Sequence, residues 1–268
     1  MVQIQRTGAA GAHARVLVCG PGGSGKTRFC VSWPNPILAT TESLLDSVRK
    51  EDIPMAKIES SADLKELIVE CRKSPDERKK AFGVPVDTFY LDTVDQLQRV
   101  LQGERLAATG RSDMEGKDYG WLGDEMRRYL SAIRNLPMHV VLTCHVKDRE
   151  VNNVTLGQPA LVGALRDEIN EFVSIAGVLE SQQAQVELPD GSVGIELRRW
   201  LRTMPDTRYE WLKDHSGNLP GKFDVNFQDD FERLSQLVFE IPPMPVASVA
   251  TPPDPDLVAL QSGATENA

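Results

Sequence analysis

A short apolar run leading straight into a glycine-rich octapeptide constrains this chain more than any other feature. Val16-Leu17-Val18-Cys19 is followed by Gly20-Pro21-Gly22-Gly23-Ser24-Gly25-Lys26-Thr27, which fits G-x-x-x-x-G-K-[ST] at every fixed position. The run suits a buried parallel strand, and Lys26 to Trp33 suits a first helix that Pro34 stops. Glycines between the two let the backbone turn sharply and aim successive N–H groups at phosphate oxygens. The helix start adds its positive end to that cradle. Gly20 to Arg28 is therefore the expected nucleotide-contacting segment, with ATP and Mg²⁺ as its cofactors. In it Lys26 would reach the β- and γ-phosphates and the Thr27 hydroxyl would ligate the metal.

The chain has 268 residues, 41% of them apolar, enough for one sizeable α/β core. It contains no apolar run of the length a membrane span needs and no secretory leader, so a cytoplasmic location and no membrane partner are expected. Cys19, Cys30, Cys71 and Cys144 lack metal-ligand or C-x-x-C spacing and read as reduced core residues. The net charge of −9 argues at first against nucleic acid. Its distribution softens that argument. Residues 223–268 hold eight acids against Arg233, a net of −7, which leaves only −2 for residues 1–222.

Residues 1–14 are polar and read as a flexible arm, 15–240 as the core, and 241–268, with six prolines between 241 and 255, as a disordered acidic tail. Within the core, Ile37 to Ala39, Phe89 to Leu91 and Val140 to Thr143 are further buried strands. A helix starts at the capping sequence Ser60-Ser61-Ala62-Asp63, and others carry Val94 to Leu101 and Leu122 to Ile133. Residues 73–80, 102–117 and 148–163 read as loops. Residues 172–180, 184–189, 193–203 and 207–213 read as successive strands, with Asp190-Gly191 as a turn, before a last helix near 227–239. The fold class that results is α/β, a mostly parallel central sheet with antiparallel C-terminal strands.

A phosphate loop needs a carboxylate for Mg²⁺ at the end of a neighbouring strand, and Asp92 fits; the other reading is a helix N-cap, by Asp92 or Thr93, and the two roles can coexist at a strand–helix junction. Hydrolysis also needs a group to activate water. The residue after Asp92 is Thr93, so Glu42, three residues past a strand, takes that place, unless it only complements the dipole of a helix over 43–48. His145, at the end of the strand Val140 to Thr143, stands where a side chain can sense the terminal phosphate, or is a satisfied structural histidine.

Taken together, Gly20 to Thr27, Thr40-Thr41-Glu42, Tyr90-Leu91-Asp92-Thr93, Val141 to His145 and Tyr209 to Asp214 resemble the RecA/KaiC-like P-loop ATPases, in particular their phage-encoded single-strand annealing and recombination branch. The resemblance spans roughly Val16 to Phe239. It implies a RecA-like core, a water-activating role for Glu42 and a sensor role for His145. It also implies single-stranded DNA held by Arg105, Arg111 and Lys117 in one loop and by Lys147, Arg149 and Arg166 in another. Lys213 matches a basic residue that reaches a neighbouring subunit's nucleotide, with Arg208 as a second candidate, because His215 departs from the family's Lys-Asp-Arg pattern. Homo-oligomerisation as a ring or filament follows, with a single-strand-binding or other replication protein as a candidate partner of the tail.

From the residues alone the first of these loops is weakly basic: Glu104, Asp113, Glu115 and Asp118 interleave its cations. Two functions are therefore expected to compete. One is an ATP-dependent single-stranded-DNA-binding recombination or annealing protein that hydrolyses ATP at subunit interfaces. The other is an ATP-gated protein-interaction module with no direct DNA role. A small-molecule kinase fits less well, since no arginine-rich lid stands out.

Overall fold

A computed structural model gives the fold and describes residues 13–42, 46–187 and 192–239. Strand β1 (Arg15–Gly20) lies between parallel partners. Leu17 pairs across to Leu142 of β5 (His139–Val151) on one side and to Ala176 of β7 (Ile175–Glu187) on the other. Beyond β5 come β4 (Thr88–Asp92), β2 (Pro36–Thr40) and the short edge strand β3 (Met55–Lys57), all parallel. Beyond β7 come β8 (Val193–Arg202) and β10 (Lys222–Asp224), both antiparallel, while β9 (Lys213–Asp214) pairs with the start of β7. The expected parallel sheet with antiparallel C-terminal strands is present.

Parallel strands covered on both faces require near-continuous apolar sequence. Every residue of β4 is buried, and so is all of β1 after Arg15. One face carries α2 (Ser61–Cys71), α4 (Val94–Thr109) and α5 (Gly116–Arg134), whose Leu64, Leu97, Leu101, Leu122 and Leu130 are almost fully buried. Each such leucine contributes roughly 2 kcal/mol. The other face packs Phe29, Trp33, Tyr90, Phe223 and Leu234, the last from helix α7 (Asp230–Phe239), which follows the short α6 (Leu165–Glu168) in the chain.

The expected capping sequence does cap: Ser60 accepts from the Asp63 N–H, and Asp63 accepts from the Ser60 N–H. Several expected loops are regular instead. Residues 73–80 contain most of α3 (Pro75–Phe82), begun by a Ser74/Glu77 capping box with proline at its first position. Of 102–117, α4 takes the part up to Thr109 and the link to α5 is short. Residues 148–163 are largely a hairpin, because β5 runs on to Val151 and returns as β6 (Val154–Pro159). Its two-residue turn, Asn152-Asn153, has φ 51° and 62°, as a tight hairpin requires. The first helix is shorter than expected: α1 (Lys26–Phe29) passes into a 3₁₀ turn, Cys30–Ser32, before Pro34. Residues 175–187 form one strand where two were expected, and most of 207–213 is irregular. The expected Asp190-Gly191 turn, most of the N-terminal arm and the C-terminal tail lie outside the described residues.

Candidate nucleotide site

Strands β1 and β4 end, and β5 passes at His145, at one edge of the sheet, and the glycine-rich loop opens there, where ligands of parallel α/β sheets bind. Gly25 sits at φ 103°, a backbone that side-chain-bearing residues rarely adopt. A Cβ on Gly20 would lie 2.7 Å from Ser24 Oγ and 2.9 Å from the Leu179 carbonyl, so the loop closes tightly over the strand end. Lys26 is 6% exposed and donates to the carbonyls of Gly20 and Pro21 at 3.1 and 3.0 Å, curling back along the loop. Burial lowers its pKa, and the Asp92 carboxylate works in the opposite direction. The Tyr90 hydroxyl donates to the Lys26 carbonyl from the core below and pins the start of α1.

The Thr27 hydroxyl donates to Asp92 Oδ2 at 2.6 Å, and Thr143 donates to Asp92 Oδ1 at 2.5 Å. Helix α1 and strands β4 and β5 thus converge on one carboxylate that is 1% exposed. Asp92 does not cap α4; the N-cap is Thr93.

Glu42 follows β2, its N–H donating to Thr40 Oγ1 at 3.0 Å, while the N–H of Thr41 donates to the Asp92 carbonyl. Burial raises the Glu42 pKa and the Asp92 charge raises it further, whereas His145 and Lys26 pull it down. That set of neighbours puts Glu42 in electrostatic reach of the strand-end carboxylate, the loop lysine and the histidine together. The helix expected over 43–48 falls partly outside the described residues.

His145 is held by a residue that the sequence did not single out. Its Nδ1 lies 3.0 and 3.2 Å from the Asp95 oxygens, and its backbone N–H donates to Asp95 Oδ1 at 3.0 Å. Burial alone would raise the Asp95 carboxyl, but the hydrogen bonds from His145 outweigh it and hold the pKa at about 2. The ionised carboxylate accepts from Nδ1–H. Asp95 lies in the first turn of α4, just past the strand-end Asp92.

The other expected site residues separate into groups. Arg105 and Arg111 both bind the fully buried Asp118, at 2.8 and 2.7 Å, and Arg111 and Lys117 also pair with Glu115. Lys147, Arg149 and Arg166 instead line a cavity of about 390 Å³ between α4 and the β5–β6 hairpin, together with Arg99, Gln98 and Gln102. Gln158 Oε1, in the same wall, is buried without a hydrogen-bond partner among the described residues. Arg208 donates to Asp148 at 3.0 Å, beside that cavity. Lys213 donates to the carbonyls of Asn170 and Val173 at 2.9 and 3.0 Å. Its strand is level with the middle of β1 and not with the glycine-rich loop.

The residues of the loop suit a nucleotide and its metal. Ser24 Oγ is buried with no partner among the described residues, a polar atom that a ligand oxygen would satisfy. Thr27 and Asp92 offer a hard hydroxyl and a hard carboxylate, the sparse protein share that Mg²⁺ takes when phosphates and water fill its other positions. A tight phosphate cradle after a central parallel strand, with a neighbouring strand-end carboxylate on its threonine, defines a P-loop nucleotide-binding protein. The AAA domain model matches residues 12–211, and the chain belongs to that family of P-loop ATPases. No curated protein matches the chain.

Proposed function

We propose that the chain hydrolyses ATP with Mg²⁺ and couples this to binding single-stranded DNA, as a self-assembling recombination or annealing protein of the RecA-like kind. The observation that carries the reading is one strand: β5 passes from Thr143, bonded to Asp92, through His145 and straight into Lys147 and Arg149 of the basic cavity.

ATP, when bound with Mg²⁺, supplies the terminal phosphoryl group and the charge that the site must manage. The loop N–H groups and Lys26 bind the phosphates, and Lys26 leaves its two carbonyl partners to do so. Thr27 and Asp92 hold the metal. Glu42 accepts the proton of the attacking water at its carboxylate, which the neighbouring His145 and Lys26 help keep ionised. His145, fixed by Asp95, stands beside the reacting end and passes its position along β5 into the hairpin.

In the cavity, Arg99, Lys147 and Arg149 form no salt bridge among the described residues, so their charges suit a phosphate backbone. The 105–117 cations are less suited, since acids already engage them. Anisotropy with a labelled oligonucleotide tests the reading. Salt-sensitive binding, tightened by ATP analogue and Mg²⁺, is expected; no binding at low salt in any nucleotide state removes the DNA role.

One observation favours the other reading, an ATP-gated protein-interaction module. Val193, Ile195 and Leu197 stand on one face of the β7–β8 ribbon, 69, 72 and 45% exposed. Such a stripe suits a protein surface. In the DNA-binding reading, a neighbouring copy of the chain is its natural occupant.

A further inference from the structure

The triphosphate end of the site has a fixed side. Asp92, Thr143, His145 and Glu42 belong to β4, β5 and the end of β2, all on one flank of β1. An elongated nucleotide with its terminal phosphate there must carry its base and ribose toward the other flank, where β7 and β8 lie. On that flank three residues meet the loop. Phe227 follows β10 and is 9% exposed, and a Cβ on Gly25 would lie 2.6 Å from its ring. The guanidinium of Arg28, next to Thr27, stands 5.6 Å from the ring centre, and that of Arg199, from β8, stands 5.3 Å away.

Two features single out Arg199. Its Nε is buried and has no hydrogen-bond partner among the described residues, although it lies only 3.6 Å from where a Gly25 Cβ would be. Its seat is also actively built. Phe227 takes a left-handed backbone at φ 64°, fixed by the Asp230 carboxylate, which accepts from the N–H groups of both Asn226 and Phe227. Arg233 ties the same carboxylate to α7, and the Arg199 carbonyl accepts from Val225 N–H. A buried guanidinium N–H held beside a phosphate loop without an acceptor calls for a ligand acceptor.

We propose that Arg199, seated on Phe227, is a nucleotide-binding residue that holds the base and ribose end, with Arg28 as the second cation of the same wall. Planar guanidinium groups stack on bases and donate in their plane, which suits a purine. Phe227 positions Arg199 and closes the wall behind it. The family match ends at residue 211, so this wall is completed by a segment beyond it.

The inference rests on the nucleotide reading above, and one comparison separates the two. Affinities for the magnesium complexes of a non-hydrolysable ATP analogue and of inorganic tripolyphosphate, which has no base, are measured by calorimetry. Unaltered protein should bind both; if it binds neither, the nucleotide site itself is refuted. Arg199→Met should weaken the analogue about tenfold or more and leave tripolyphosphate unchanged. Phe227→Leu, which keeps bulk but loses the ring, should move the same way. Equal losses for both ligands would make Arg199 a phosphate contact, and no loss for either would make it structural; each result overturns the proposal. Should Arg199→Met not fold, Arg199→Gln is read by the same pair of affinities.

Discussion

The His145 ring and the His145 backbone N–H both bind the Asp95 carboxylate, at 3.0 Å each, so one side chain fixes the orientation and the height of this residue midway along β5. Removing it should loosen His145 without removing it. Asp95→Asn is expected to cut ATP turnover about tenfold, an outer-shell effect of the usual size, with nucleotide affinity nearly intact. Steady-state rates beside binding measurements check this.

The same pair makes a stability prediction. The folded Asp95 pKa of about 2 lies below its ordinary 3.8, so the stabilisation is complete above 3.8 and fades as pH falls toward 2. Asp95→Asn should therefore cost about 2 kcal/mol at neutral pH. The gap between variant and parent should close in denaturant titrations taken below pH 4.

Asp118 anchors Arg105 and Arg111 from a fully buried position, and a backbone hydrogen bond from Glu115 and those cations hold its carboxyl at about 2. Asp118→Ala should lower the melting temperature by several degrees, since it removes the buried carboxylate that two arginines share and leaves only Arg111 with a second acid, Glu115. In the same variant, oligonucleotide affinity should not rise above the parent's. A marked rise would show that the freed arginines belong to the DNA surface after all.

Charge removal in the cavity should behave differently. Lys147→Ala and Arg149→Ala are expected to weaken single-strand binding, and each should reduce the salt slope by roughly one unit for every phosphate it leaves without a cation. ATP turnover without DNA should hold. Anisotropy across a salt series reads the slope directly.

Local chemistry made part of this molecule legible and hid the rest. The phosphate loop, Asp92 and the inner strands could be read because each is a short continuous signal: glycine spacing, or an apolar run that a doubly covered parallel strand demands. Helix α3 was hidden by its charge, although Ser74-Pro75 with Glu77 spelled a helix start. The β5–β6 hairpin was hidden because its strands face water and lack an apolar period; only Asn152-Asn153 gave it away. Arg199 and Phe227 had no sequence signal at all. They reach Gly25 through the order of the sheet, which places β8 and β10 on the base side of β1.

The raised Glu42 carboxyl gives a pH prediction with a definite sign. A base must be ionised, so turnover should be full well above the raised value and fall as pH drops through it. The acid limb should then lie above the ordinary glutamate value of 4.5 and disappear in Glu42→Gln. A pH–rate profile of both proteins checks it.

The most direct test of the account is phosphate release in a single turnover, with Mg²⁺ and ATP, by the parent and by Glu42→Gln at matched nucleotide occupancy. The account predicts that the variant still holds ATP but releases phosphate at least a hundredfold more slowly. Release at the parent's rate from a fully occupied Glu42→Gln site would contradict it.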